Sequence, residues 1–387
     1  MSHSRPLLTV LVPTRERAET LAYTLRTTID QKSTNFEVLV SDNFSQDGTR
    51  GAVEAINDPR IRYINTGQRL SMSDNWDFAL PYCEGEYITV IGDDDAIMPG
   101  AIDRIEPLFA AGRERIITWP VPIYAWPMDG KPPAVTHLPA NAKQTYVNVR
   151  KLARFAVRMG GWRHHVLPYI YHSAFHRSIP EGIKARAGRV FHTTQPDIFS
   201  GFAGAAFTET GLNVGFPVSV AGHSKKSNGG AMTGGTSEQG KEMLRQHYKE
   251  YGEYKVHPSL DPEIPARVNT LPDSMLVAKD LFPETYGDVP FGYSEMWAYM
   301  YRLRKAYRWE IGSPLDVLRK RDEFRKYHPF SVPKFLGFLA FMMAIEQTRS
   351  LRRKREDLGR FAGITPPNIA DFVKTLARMQ ATEGETR

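Results

Sequence analysis

Along roughly the first hundred residues, short apolar runs alternate with apolar stripes at helical spacing. Residues 7–12 (LLTVLV) form a nearly continuous apolar run stopped by Pro13, as a strand buried on both faces should be. Leu21, Leu25 and Ile29 then recur every four residues, which predicts one helix stripe. Residues 36–40 (FEVLV) read as a second buried strand ending in Ser41, Asp42 and Asn43. The Asp47-Gly48 pair marks a turn, a short helix fits before Ile56, and residues 61–64 (IRYI) read as a third strand. Residues 71–82 predict a helix, and residues 87–91 (YITVI) a fourth strand that runs into Gly92-Asp93-Asp94-Asp95. Strand and helix in alternation predict a mostly parallel sheet with helices on its faces.

A further helix is expected near residues 101–110, then a β-rich stretch at 116–126 (IITWPVPIYAW) whose prolines suggest an edge or irregular strand. Residues 222–240 hold six glycines, two lysines and small polar residues, so little there can be buried. Beyond them, periodic apolar and basic residues with few strand runs predict helices. The expected division is a catalytic-type domain at 1–225, a Gly-rich linker at 226–240 and a mostly helical region at 241–387.

Composition narrows the class. At 387 residues the chain is long for one ordinary domain, and with 41% hydrophobic residues it is too apolar for a disordered one. The net charge of +7 is too small to declare a nucleic-acid binder, and it gathers late in the chain. Residues 302–326 carry nine basic against four acidic side chains, and 349–355 (RSLRRKR) five basic and no acid. With Cys83 alone, no intramolecular disulfide or Cys-rich zinc site can form, and a reducing compartment is the simplest reading. Pro13 and Arg15 interrupt the N-terminal apolar run, which argues against a secretory signal. The longest apolar run, 335–345 (FLGFLAFMMAI), is too short for the roughly 30 Å of a membrane core. A cytoplasmic protein is expected, soluble or peripheral at the inner face of the cytoplasmic membrane.

In an open parallel sheet, ligands sit beyond the carboxyl ends of the strands, and the polar residues cluster there. Pro13, Thr14, Arg15 and Glu16 follow the first strand, Asp42 and Asn43 the second, and Asp93, Asp94 and Asp95 the fourth. Three adjacent carboxylates raise one another's pKa unless a cation or solvent neutralises them. The alternatives are a bound divalent metal or a solvated acidic turn. Oxygen ligands without a Cys/His cluster favour Mg²⁺ or Mn²⁺, for which a nucleoside diphosphate is the natural partner.

Taken in order, strand-Pro13-Thr14, then residues 41–49 (SDNFSQDGT), then residues 85–102 (GEYITVIGDDDAIMPGAI) resemble the family 2 glycosyltransferases of the GT-A fold. The resemblance covers about a quarter of the chain. It implies an α/β Rossmann-like nucleotide-diphospho-sugar transferase domain, with Asp42 at the base, Asp93 by the ribose and phosphates, and Asp94 at the metal beside Asp95. The sequence also departs from the family, which often has an aromatic and an asparagine where this chain has Arg15 and Glu16. A guanidinium can stack on a base in their place. Asp74-Asn75 stands where the family often has Arg-Asn, so the arginine's contact must come from elsewhere or be missing.

An inverting transfer needs one more carboxylate to take the acceptor's proton. Asp197, in residues 192–205 (HTTQPDIFSGFAGA), stands where the family places its base; the alternative is a helix N-cap. Glu181 and Glu209 are rivals. By the same resemblance His223 is a candidate at the metal or diphosphate, or else a surface histidine. Ser224, Lys225, Lys226 and Ser227 are either a lid over the phosphates or a solvated linker. Trp119, Tyr124 and Trp126 are either an acceptor platform or packing. His164-His165 has no third ligand and makes no metal site. Residues 335–355 combine apolar and basic segments, which suits either an interfacial helix on anionic lipid or a buried helix followed by a solvated one.

The expected function is a metal-dependent, inverting glycosyltransferase that takes its sugar from a nucleotide-diphosphate donor, most simply a UDP-sugar. The acceptor is a glycan or lipid-linked glycan of the cell envelope. A catalytically silent nucleotide-sugar-binding protein of the same fold is the alternative, and nucleic acid is not an expected partner.

Overall fold

The computed structural model describes residues 5–127, 132–137, 143–225, 238–252, 254–264, 266–305, 311–356 and 366–385. Four apolar runs become neighbouring strands, β1 (Leu8–Thr14), β2 (Phe36–Asp42), β3 (Ile61–Asn65) and β4 (Tyr87–Val90). Helices α1 (Ala18–Thr28), α2 (Thr49–Glu54) and α3 (Met72–Ala79) connect them. The four strands pair in parallel in the order β3-β2-β1-β4. Since β1 has β2 on one side and β4 on the other, the winding reverses there and opens a crevice beyond the strand ends.

Side-chain alternation sorts β1 and β2 between two cores. Val10, Val12, Val38 and Val40 face one, together with Leu21 and Leu25 of α1. Leu11 and Leu39 face the other, together with Trp76 of α3. Each such aliphatic side chain contributes about 1.5–3 kcal/mol on burial, which is why both faces must be covered.

Downstream come β5 (Ala96–Ile97), α4 (Ala101–Ala111), β6 (Ile116–Thr118), β7 (Ile123–Ala125), β8 (Ala134–His137), β9 (Thr145–Asn148) and α5 (Val149–Arg158). They are followed by β10 (Ser173–His176), α6 (Ser178–Ala187), α7 (Pro196–Phe207), β11 (Thr210–Asn213) and β12 (Ser219–His223). The main sheet extends past β4 as β10-β6-β11-β9, and a smaller sheet has the order β5-β12-β7-β8. The stretch read as one irregular strand at 116–126 is two: Pro120 and Pro122 lie between β6 and β7, which join different sheets.

The later chain is helical, with α8 (Glu238–Lys249), α9 (Ala266–Leu281), α10 (Tyr293–Leu303), α11 (Val332–Glu356) and α12 (Ile369–Glu385) as its longer elements. Most of the expected linker at 226–240 lies outside the described residues, and its last three belong to α8. Leu271, Met275, Trp297 and Phe335 of these helices share one core with Leu11 and Leu39. By contrast, α12 returns to the opposite face, where Ile369, Phe372, Val373 and Leu376 join Val10 and Val38. Tyr124 secures that return, its ring stacked on Phe372 and its hydroxyl donating to the Pro366 carbonyl at 2.8 Å.

Candidate active site

The turn after β4 places three aspartates in three different environments. Asp93 lies against the end of β1: the Thr14 hydroxyl donates to its Oδ2 at 2.7 Å and the Arg17 guanidinium to its Oδ1 at 2.7 Å. Asp94 accepts hydrogen bonds on Oδ2 from the backbone N–H (3.2 Å) and hydroxyl (2.5 Å) of Ser224, with Arg17 3.8 Å away. Burial is the main force on its carboxyl, which is pushed up to about 7 against the pull of Arg17 and with the help of Asp95 and Asp93. Asp95 is fully buried and accepts from the Gly92 N–H and the Tyr171 hydroxyl on Oδ2 and from the Gly222 N–H on Oδ1. Burial alone would raise its pKa, but His172, 3.3 Å away, and these donors hold it below the ordinary carboxylate value.

Gly222 is required for this arrangement. A Cβ built there would lie 1.8 Å from the Asp94 carbonyl oxygen, so β12 meets the aspartate turn backbone to backbone. His223, the next residue, is thereby brought to the same cleft.

The cleft has a volume of about 480 Å³. One wall is made by Pro13 to Arg17, Asn43, Gly92, Asp93 and Asp94, the strand-end residues. Another comes from later chain, through Gln195, Asp197, Gln246, His247 and Glu250. Asp197 lies in the first turn of α7, behind Pro196; the N-cap is Gln195, so capping does not explain the aspartate. Its Oδ1 is shielded from solvent and has no hydrogen-bond partner among the described residues, and burial raises its pKa.

The helical region is tied into the cleft by specific contacts. Glu250 Oε1 receives Arg15 at 2.7 Å and Arg69 at 3.0 Å, so one carboxylate is shared by two guanidiniums that line the cleft. The Tyr251 hydroxyl meets Ser73 Oγ at 3.0 Å. His247 is 4% exposed, its Nε2 has no hydrogen-bond partner among the described residues, and burial lowers its pKa.

Several sequence expectations change. Asp95 was expected at a metal; in the structure both its oxygens accept hydrogen bonds, from Gly92, Tyr171 and Gly222, which tie the turn to β12 and Tyr171. Asp42 was expected at the base, but it is no part of the cleft wall: its Oδ2 is taken by Tyr63 at 2.5 Å and Asn65 at 3.2 Å, and its Oδ1 by the Ser45 N–H at 3.0 Å. Asn43 does line the cleft, and its side chain pairs in both directions with the Leu70 backbone, holding the loop that carries Arg69. Trp119, Tyr124 and Trp126 are packing rather than a platform, each buried and donating inward, to Ser219, the Pro366 carbonyl and the Asp94 carbonyl. Ser224 braces Asp94, and Lys225 is exposed, while Lys226 and Ser227 lie outside the described residues.

Sequence reasoning missed Arg17, Arg69, Tyr171, Gln246, His247 and Glu250. Arg17 stands two positions beyond Arg15 and could have been found by asking what neutralises Asp93. Tyr171 and Glu250 carry no local signal, since Glu250 meets Arg15 across 235 positions.

Among the described residues no three His, Cys, Asp or Glu side chains come together as a metal site. What the cleft offers a cation is Asp94, a carboxylate whose pKa is raised chiefly by burial, with His223 in the same wall. That set suits Mg²⁺ or Mn²⁺, which accept water and phosphate oxygens as their other ligands.

Residues 9–163 match the model of Glycosyl transferase family 2. Among curated relatives, a GalNAc(5)-diNAcBac-PP-undecaprenol beta-1,3-glucosyltransferase of Campylobacter jejuni is 31% identical over 103 residues, 26% of this chain and 33% of that protein. The putative colanic acid biosynthesis glycosyl transferase WcaA of Escherichia coli is 28% identical over 117 residues, 30% of this chain and 40% of its own. The succinoglycan biosynthesis protein ExoO of Rhizobium meliloti is 30% identical over 110 residues, 28% of this chain and 32% of its own. The chain thus spans about a third to two fifths of the length of these relatives. Among solved structures, Staphylococcus aureus TarS 1–349 in complex with UDP-GlcNAc aligns with a TM-score of 0.49 at 13% identity, covering 84% of this chain and 82% of that one.

Proposed function

From the match of residues 9–163 to the Glycosyl transferase family 2 model, we propose that the chain is a glycosyltransferase of the GT-A fold that transfers a sugar, with inversion, from a nucleotide-diphosphate donor to a glycan or lipid-linked acceptor of the cell envelope. A UDP-sugar is the simplest donor. The observation that carries this reading is Asp197: an orphaned, solvent-shielded carboxylate oxygen in the same cleft as Asp93 and Asp94. A buried polar atom left without a partner costs about 1–3 kcal/mol, and a ligand hydroxyl donating to it removes that cost.

The donor lies along the strand-end wall, with its nucleoside near Pro13, Thr14 and Asn43 and its phosphates facing Arg15, Arg17 and Arg69. Asp197 accepts the proton of the acceptor hydroxyl as that oxygen bonds to the anomeric carbon, and the bond from that carbon to the diphosphate oxygen breaks on the opposite side. Burial suits Asp197 to this work, because a raised pKa makes the carboxylate a stronger base. A Mn²⁺ or Mg²⁺ ion held by Asp94 and His223 would supply positive charge to the departing diphosphate. A lipid-linked acceptor would bring this work to the inner face of the cytoplasmic membrane.

The test is Asp197→Asn. Calorimetric binding of UDP, GDP, CDP and dTDP should survive, while sugar transfer falls by about 10²–10⁴-fold. Transfer that persists in the variant excludes Asp197 as the base; no nucleotide binding by the native protein, with or without Mn²⁺, excludes the donor site altogether.

A further inference from the structure

Helix α11 is turned inside out on its solvent side. Between Val332 and Ile345 its inward residues include Phe335, Phe338, Leu339 and Met342, all buried. Its exposed residues are Pro333, Lys334, Leu336, Gly337, Ala340, Phe341, Met343 and Ala344, and only Lys334 among them is polar. A surface helix ordinarily carries charged and polar residues on that side. Leu336, Phe341 and Met343 are 43%, 46% and 49% exposed.

The apolar face continues onto neighbouring chain. The Trp162 ring lies 5.3 Å from Phe341 and 5.9 Å from Phe155, and Phe155 and Val166 are each 38% exposed. Basic residues lie along its α5 and Trp162 edge. Lys151 and Arg158, both exposed, flank Phe155 on α5, a helix without an acidic residue, and Arg163 stands over the Trp162 ring at 5.9 Å. Arg154 of the same helix is paired with Asp288. In the sequence, α11 runs on through residues 349–355 with five basic residues and no acid.

We infer that this face docks on an anionic lipid surface, with α11 lying in the plane of the interface. Apolar and aromatic side chains enter the boundary between head groups and acyl chains while lysines and arginines meet the phosphates. No described helix is long and apolar enough to cross a membrane, so α11 lies on the bilayer rather than spanning it. A second copy of the chain fits less well, because a two-fold interface would set the same basic rim against itself.

Flotation of the full chain with vesicles tests this, without nucleotide, so that the result stands whatever the cleft transfers. Binding to phosphatidylcholine vesicles containing phosphatidylglycerol should exceed binding to phosphatidylcholine alone by at least about tenfold and weaken as salt is added. Phe341→Ser and Leu336→Ser should each reduce that binding several-fold; Phe341→Ser also loses its ring contact with Trp162 and should lower the melting temperature, whereas Leu336→Ser should change it little. Lys151→Glu with Arg158→Glu should remove the preference for anionic lipid. Equal binding to both vesicle types, variants that float like the native chain, or a dimer in sedimentation that Phe341→Ser converts to monomer would each overturn the proposal.

Discussion

The two walls of the cleft differ in how their buried polar groups are satisfied. At the strand ends the carboxylates are engaged: Asp93 by Thr14 and Arg17, Asp94 by Ser224, and Asp95 by Gly92, Gly222 and Tyr171. On the wall from later chain, Glu250 is paired with Arg15 and Arg69, but Asp197 Oδ1 and His247 Nε2 are buried without a hydrogen-bond partner among the described residues. Engaged groups hold their geometry before any ligand arrives, and unpartnered ones carry a desolvation penalty that only a ligand relieves. The difference is what the proposed role of Asp197 as the base rests on.

The largest expected effect falls on the engaged wall. Asp95→Ala removes the acceptor of three hydrogen bonds in a fully buried setting, and by analogy with broken buried pairs should cost about 3–5 kcal/mol of stability in chemical denaturation. Asp197→Asn, on the other wall, should leave the melting temperature unchanged or raise it. Equal losses at the two positions would erase the distinction.

Asp94 should show itself in pH dependence. Its folded pKa, about 7, lies above the unfolded value, so the native state holds the proton more tightly. Its contribution is complete below the unfolded value and is lost as pH rises through about 7. Buried histidines such as His164, lowered to about 3 by desolvation, act in the opposite sense below the ordinary histidine pKa, so the comparison must be with Asp94→Asn. The stability of the native protein relative to that variant should decline from pH 5.5 to pH 8.

A smaller effect is expected at Glu250. Glu250→Gln frees Arg15 and Arg69 from their shared counter-ion and should change nucleoside-diphosphate affinity several-fold, measured by calorimetry, with little change in stability. Smallest is His247→Leu, which removes a buried unpaired nitrogen together with the ring's hydrogen bond to the Thr194 backbone, so that the two changes offset and stability should move by no more than about 1 kcal/mol in chemical denaturation.

The parallel core was legible because strands buried on both faces read as continuous apolar runs, as at β1, β2 and β4. Strand order beyond β4 was not, since pairing across β10, β6, β11 and β9 depends on contacts far apart in the chain. Within the aspartate triplet, the sequence pointed to the turn but could not rank its members. What distinguishes Asp95 from Asp94 is supplied by Tyr171, His172, Gly222 and Ser224. Aromatic content left Trp119 and Trp126 open between platform and packing, because an indole is equally suited to stacking on a ring and to filling a core, and only its N–H partner tells which.

Helix α12 has a consequence for how the protein is made. The face of the sheet that begins with Val10 is completed by Phe372 and Leu376, which lie far later in the chain. The first half therefore cannot finish folding during its own synthesis. It must wait, with that apolar surface uncovered, until α12 has been made, so fragments cut near residue 225 for expression should be captured by chaperones or aggregate.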